Sequence, residues 1–258
     1  MTSNNTILPP PPVSGMENFY AQSSPPSLFP YVGMNFGRLP PAPEASYQNL
    51  DDDTPIEPDD FFKIVVVLDE SGSMHSIKEN MRTSLNQLIT EQKTITERPS
   101  KFTLVKFNEH VRRVIQNKLL DEVELLQEND YKPDGGTALF DAVGDTINWF
   151  RNEKNVLMIV VTDGQENSSR KYTNKKQITD TVAKMQNEQG WNYVYLSCDI
   201  ATAEQGNNMG FATSTTSSNK VVRQEDFGQF ISLQLNSAIS TSRKSNVPVS
   251  SQLNHLSL

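Results

Sequence analysis

Phe61-Phe62-Lys63-Ile64-Val65-Val66-Val67-Leu68-Asp69-Glu70-Ser71-Gly72-Ser73-Met74 is the stretch on which the reading of this chain turns. An apolar run interrupted only by Lys63 reads as a buried strand. It ends in a turn carrying one carboxylate and two hydroxyls at alternate positions, Asp69, Ser71 and Ser73, with Gly72 between them to let the backbone bend tightly. Such a turn can aim three oxygens at one point, and oxygens in a fixed arc suit a hard divalent cation such as Mg²⁺. Two later segments share this character. Asp134-Gly135-Gly136-Thr137 opens a helix, and Val160-Val161-Thr162-Asp163-Gly164 closes another apolar strand.

From Phe61 onward, apolar runs alternate with helical patterns. A strand over 61–69 is followed by Ile77, Met81, Leu85, Leu88 and Ile89, a stripe with a period near that of a helix. Phe102–Phe107 alternates as a strand, and Val111–Ile115 reads as its hairpin partner. Ala138, Leu139, Ala142, Val143, Ile147 and Phe150 make the next helix face, and Val156–Thr162 is a continuous apolar strand. Thr173 or Asn174 caps a helix carrying Ile178, Val182 and Met185. Trp191–Ser197 forms another strand, a short helix covers about 201–209, and 220–223 supplies a short edge strand. A last helix carries Phe227, Phe230, Ile231, Leu235 and Ile239. The expected fold is α/β: a Rossmann-like open, mostly parallel sheet flanked by helices on both faces, with a short antiparallel edge strand. In such sheets ligands bind beyond the carboxyl ends of the strands at a topological switch point. Asp69 and Asp163 both end strands and Thr137 precedes a helix, so three distant loops are expected to meet at one edge.

The three loops resemble those of the von Willebrand factor type A (vWA) family, whose metal-ion-dependent adhesion site (MIDAS) combines Asp-x-Ser-x-Ser with a distant Thr and a distant Asp. The match is complete: Asp69, Ser71 and Ser73, then Thr137, then Asp163. The resemblance implies that Ser71, Ser73 and Thr137 ligate the metal directly while Asp69 and Asp163 act mostly through bound water. Mg²⁺ is the expected cofactor, and Mn²⁺ accepts the same oxygens. With its two carboxylates held back, the metal stays electrophilic, and an open position takes an Asp or Glu carboxylate from a protein partner. The implied function is a divalent-metal-dependent protein–protein interaction module, with no bond broken. Around this set, Glu70, His75, Asp134, Gln165 and Glu166 are expected on the partner-facing rim. Other readings of the pieces exist: Ser71 and Ser73 as helix caps, and Asp134-Gly135-Gly136 as an ordinary turn.

Composition narrows the partner. The net charge of −8 argues against a nucleic-acid groove or an anionic membrane surface. No run approaches the 18 or so apolar residues of a membrane span. The first residues, Met1-Thr2-Ser3-Asn4-Asn5, carry no basic segment leading into an apolar stretch, which is unlike a secretory signal. One cysteine, Cys198, fits a reducing compartment and reads as a buried core thiol. Localisation is therefore expected to be cytoplasmic or intracellular, or within a particle such as a virion.

Three regions are expected: a proline-rich extended arm with an acidic linker over 1–59, a vWA domain over 60–242, and a loose polar tail over 243–258. Twelve of the 15 prolines fall within residues 1–60. That composition favours extended conformations over a packed core. Phe19, Tyr20, Phe29, Tyr31, Phe36 and Tyr47 suit the arm to docking, so residues 1–55 could anchor a structural component of a large assembly. Enzymatic alternatives lack their parts. There is no G-x-x-x-x-G-K-[ST] phosphate cradle and no G-x-S-x-G elbow, and His75, His110 and His255 lie in no triad context. An aspartyl-phosphate phosphatase expects a second Asp two residues after the first, where this chain has Ser71. Catalytic residues: none are expected.

Overall fold

The computed structural model describes residues 61–255; the arm and acidic linker expected over 1–59 lie outside them. The described strands are β1 (Phe62–Asp69), β2 (Ser100–Phe107), β3 (Val111–Leu119), β4 (Val156–Val161), β5 (Asn192–Ser197) and β6 (Ser217–Val221). The helices are α1 (Lys78–Lys93), α2 (Leu139–Phe150), α3 (Lys175–Gln189), α4 (Ile200–Gly206), α5 (Phe227–Gln229), α6 (Asn236–Ser245) and α7 (Val249–Asn254). A π-helical stretch, Phe230–Leu235, joins α5 to α6 without a break.

The six strands form one sheet in the order β3-β2-β1-β4-β5-β6. Only β2 and β3 pair antiparallel; every other pair is parallel. Ile64 to Leu68 of β1 are each at most 1% exposed, because the strand is central and covered on both faces. Successive side chains point to opposite faces. Ile64, Val66 and Leu68 therefore join α1 and the α5–α6 stretch, while Val65 and Val67 join α2 and α3. Burying each such side chain contributes roughly 1.5–3 kcal/mol, which fixes the register of β1 and hence the place where Asp69 emerges.

The helix stripe predicted from Met81, Leu85, Leu88 and Ile89 is the buried face of α1. At α3 the cap is Asn174, whose side chain accepts from the Lys176 amide, and Thr173 does not serve. Gly190, in the left-handed region at φ 67°, ends the same helix.

Several expectations are corrected. The hairpin partner runs to Leu119 rather than Ile115, and it is the antiparallel edge. The strand expected at 220–223 begins earlier, at Ser217, and lies parallel to β5. The helix expected over 201–209 is α4 running into a π-helical turn, Asn207–Phe211. The tail expected to be loose from 243 is folded through the described residues: α6 reaches Ser245, and α7 buries Val249 and Leu253. The Ser250 hydroxyl donates to the Thr215 carbonyl at 2.8 Å. Two apolar residues one helical turn apart sufficed to seat a segment that composition alone reads as polar.

Candidate metal-binding site

The sheet order places β1 between β2 and β4, so chain connections leave to opposite sides of the β1–β4 boundary. That is a switch point, and Asp69 and Asp163 lie beyond its carboxyl edge. Asp69 is the last residue of β1 and is fully buried. Its Oδ1 accepts from the Ser71 amide at 2.7 Å and its Oδ2 from the Thr162 hydroxyl at 2.6 Å. Burial pushes its carboxyl up to about 6; bonds from Thr162 and Ser71 oppose the rise, and the charge of Asp163 adds to it.

The Ser71 and Ser73 hydroxyls lie 3.2 Å apart, and the Ser73 hydroxyl donates to Asp163 Oδ1 at 2.5 Å. Neither acts as a helix cap: Ser71 precedes a 3-10 turn over Gly72–Ile77 with no side-chain cap bond, and α1 begins after Ile77. The capping reading is thereby set aside. Asp163 is half-buried; burial raises its carboxyl, and bonds from Ser73 and Gln224 counter the rise.

Thr137 is 3% exposed, and its hydroxyl has no hydrogen-bond partner among the described residues. A methyl group placed on Gly164 would lie 2.7 Å from Thr137 Oγ and 3.4 Å from Asp69 Oδ2. The absence of a side chain at Gly164 thus keeps the second and third loops close to Asp69. Backbone bonds complete the assembly: the Gly72 amide donates to the Gly135 carbonyl at 3.1 Å, and the Asn167 amide to the Thr137 carbonyl at 3.0 Å. Gly135, at φ 77°, adopts the left-handed conformation this approach requires. Asp69, Ser71, Ser73, Thr137 and Asp163 are accordingly gathered at one end of the sheet.

Their donors are two carboxylates and three hydroxyls, all hard oxygens, which fits Mg²⁺ or Mn²⁺. Among the described residues, no three His, Cys, Asp or Glu side chains gather as a metal site. Any ion held here therefore depends on hydroxyls for most of its protein ligands. The unpartnered Thr137 hydroxyl fits that role.

The expected rim divides. His75, Asp134 and Gln165 are exposed, and the Asp134 carboxylate accepts from the Gly135 amide at 2.8 Å. Glu70 and Glu166 are corrected. Glu70 is 1% exposed and ion-paired with Lys106 and Arg112. Glu166 accepts from the amides of Phe140, Ser168 and Ser169, so it holds the start of α2 and the third loop. Backbone amides draw both carboxylates away from the rim, and Glu70 is further held by the buried ammonium of Lys106 and the half-exposed guanidinium of Arg112. Cys198 is also corrected, being only half-buried. Its Sγ donates to the Asp163 carbonyl at 3.2 Å, and burial pushes the thiol up to about 11.

Sequence reasoning missed four supports. Thr162 bonds Asp69, and Tyr131 donates its hydroxyl to the Asp69 carbonyl at 2.6 Å. Asn167 Oδ1 accepts from the Thr137 amide at 2.8 Å. Gln224, from the connection between β6 and α5, donates to Asp163 Oδ2 and, at 3.1 Å, to the Ser73 carbonyl. Thr162 stood inside a quoted motif and was legible; nothing in Arg223-Gln224-Glu225-Asp226 distinguishes Gln224 from a solvated loop residue.

Comparison with known proteins agrees with the fold. Residues 63–236 match the von Willebrand factor type A domain, and the chain belongs to that family, a class of protein-interaction modules. Among solved structures, it is similar to the PilB minor pilin from Streptococcus sanguinis, at 14% identity and a TM-score of 0.52, covering 75% of this chain and 63% of that one. It is also similar to a von Willebrand factor type A protein from Catenulispora acidiphila, at 15% identity and a TM-score of 0.51, covering 72% and 43%. Proximal thread matrix protein 1 from the mussel byssus, with a zinc-occupied MIDAS motif, matches at 12% identity and a TM-score of 0.49, covering 72% and 46%. These likenesses are of fold, and the chain spans less than two thirds of the length of each of these neighbours. No curated protein sequence matches. No described helix is long and apolar enough to cross a membrane.

Proposed function

We propose that this protein binds a protein partner through a divalent metal held by Ser71, Ser73 and Thr137, with Asp69 and Asp163 acting largely through water. The observation that carries the reading is the meeting of five oxygens from three loops at the switch point, with the Thr137 hydroxyl left unpartnered among the described residues. When bound, the metal supplies an electrophilic position for a partner's Asp or Glu carboxylate. This chain's own groups keep that position open. Asp69 is tied down by Thr162 and the Ser71 amide, and Asp163 by Ser73 and Gln224, so neither carboxylate is free to swing in and neutralise the ion. Mg²⁺ is the proposed resident, with Mn²⁺ as an equivalent. The deciding experiment is capture of partners from native material in Mg²⁺ and in EDTA. Complexes that form only in Mg²⁺ support the reading, and a complex indifferent to chelation sinks it.

A second reading gives the first 55 residues a separate role as an assembly anchor. Residues 1–60 hold eight carboxylates against one arginine, Arg38, and so carry −7 of the net −8. Residues 61–258 are close to neutral, so the negative charge of the chain is concentrated in its first 60 residues. Deleting residues 1–55 should abolish incorporation into the assembly while leaving metal binding intact.

A further inference from the structure

We propose that Glu70, together with Lys106 and Arg112, is the positioning group that sets the first loop of the site against the second. The inference rests on the metal-binding reading above and adds to it a residue at the variable place of Asp-x-Ser-x-Ser, between two of the gathered oxygens. Glu70 Oε1 accepts from Lys106 Nζ at 2.8 Å and from the Lys132 amide at 2.8 Å. Its Oε2 accepts from Arg112 Nη2. Lys106 also donates to the Asp130 carbonyl. The backbone of the same residue is held on both sides: the Glu70 amide donates to the Phe107 carbonyl at 2.6 Å, and the Asp134 amide donates to the Glu70 carbonyl at 2.9 Å. One side chain thus ties together the end of β1, the edge pair β2–β3, and the loop that leads to Thr137.

The charges explain why this tie holds and why it is this residue. The Glu70 side chain is 1% exposed and that of Lys106 9%, so each charge is out of water and depends on the other for compensation. Arg112, half in solvent, supplies the second cation. Two cations on Glu70 also prevent it from adding a third uncompensated negative charge beside Asp69 and Asp163. A swing of the first loop outward would separate a buried ion pair and break the Asp134 and Lys132 amide bonds with it. Ser71 and Ser73 therefore stay at their spacing from Thr137 before any ion arrives. Preorganisation of this kind acts on affinity through the groups that orient the ligands.

The experiment uses the full chain. Calorimetric titration with MnCl₂ and the electron paramagnetic resonance spectrum of bound Mn²⁺ are compared for wild type, Glu70→Gln, Lys106→Arg and Arg112→Gln. Glu70→Gln should bind Mn²⁺ at least about tenfold more weakly, with a broadened spectrum. Lys106→Arg, which preserves the cation, should stay within about threefold of wild type. In EDTA, amide exchange at Gly72 and Asp134 should accelerate in Glu70→Gln while exchange in β4 and β5 does not, a readout independent of the metal. A folded Glu70→Gln that binds Mn²⁺ as wild type does, with the same spectrum, overturns the proposal. Should Glu70→Gln fail to fold, Arg112→Gln decides, since that side chain is half exposed: about threefold weaker binding is expected, and unchanged binding overturns it. A wild type that takes up no Mn²⁺ refutes the metal reading instead, and the exchange comparison then judges the positioning role alone.

Discussion

Asp69 and Asp163 stand at the ends of neighbouring parallel strands, 93 residues' worth of fold having brought Thr162 against the first of them. Asp69 is held from below, by a backbone amide, a buried hydroxyl and, through its own carbonyl, the Tyr131 phenol. Asp163 is half-buried and held from above by two side chains, Ser73 and Gln224, each on a different loop. The first carboxylate belongs to the core and the second to the surface. A site built this way has one fixed wall and one adjustable wall. On the proposed metal-binding reading the fixed wall would set where an ion sits, while the other wall depends on side chains from two separate loops.

The sharpest way to break that comparison is to remove each carboxylate. Asp69→Ala should cost divalent-metal affinity by a factor on the order of a hundred or more, and Asp163→Ala by about tenfold, read by calorimetry. Equal losses would erase the distinction between the walls. Asp69→Ala should also lower stability, because the Ser71 amide loses its acceptor at roughly 1–3 kcal/mol, while the Thr162 hydroxyl keeps the Gly164 carbonyl.

The pH dependence of the metal-free protein tests the fixed wall next. Asp69 titrates near 6 when folded and near 3.8 otherwise, so its favourable contribution is complete below about pH 3.8 and is lost as pH rises through about 6. The loss amounts to at most about 3 kcal/mol. Urea midpoints in EDTA should therefore show a decline between those pH values. The decline shrinks in Asp69→Asn and persists in part, because Asp163 is shifted in the same direction. An unchanged slope in Asp69→Asn would place the titrating group elsewhere.

Two smaller effects sharpen the adjustable wall. Thr137→Ala should weaken partner binding about tenfold and Mg²⁺ affinity less, on the reading that Thr137 contacts the ion chiefly in the partner-bound state. Equal losses in both assays would deny it a role specific to the complex. Gln224→Ala should shift metal affinity by no more than about threefold, because its amide nitrogen holds Asp163 and its oxygen accepts from the Ser76 hydroxyl. A larger loss would move Gln224 from support to ligand.

How much of this was legible follows from the range of the forces involved. The apolar run at Ile64–Leu68 and the stripe of α1 are local periodicities, and each appears in the fold where it was expected. The oxygens at 69, 71, 73, 137 and 163 could be named because turn residues at strand ends announce themselves by type. Glu70 could not be placed, because its cations come from β2 and β3 and its amide from the loop at Lys132. Glu166 was misjudged for the same reason: its partners are amides of α2 and its own loop. The C-terminal segment was misread because Val249 and Leu253 carry a helix only when β5 and β6 offer a surface to cover.

The sequence by itself determined the alternation of strands and helices, the loops that would carry hydroxyls and carboxylates, and the hard-oxygen character of the donor set, since these depend on neighbours along the chain. Tertiary structure alone decided that Asp69 is fully buried while Asp163 is only half-buried, that Glu70 turns inward to Lys106, and that Gln224 reaches the site. Those outcomes depend on which side chains a sheet of this order brings within a few ångströms across long stretches of chain, and burial there sets the worth of every charge.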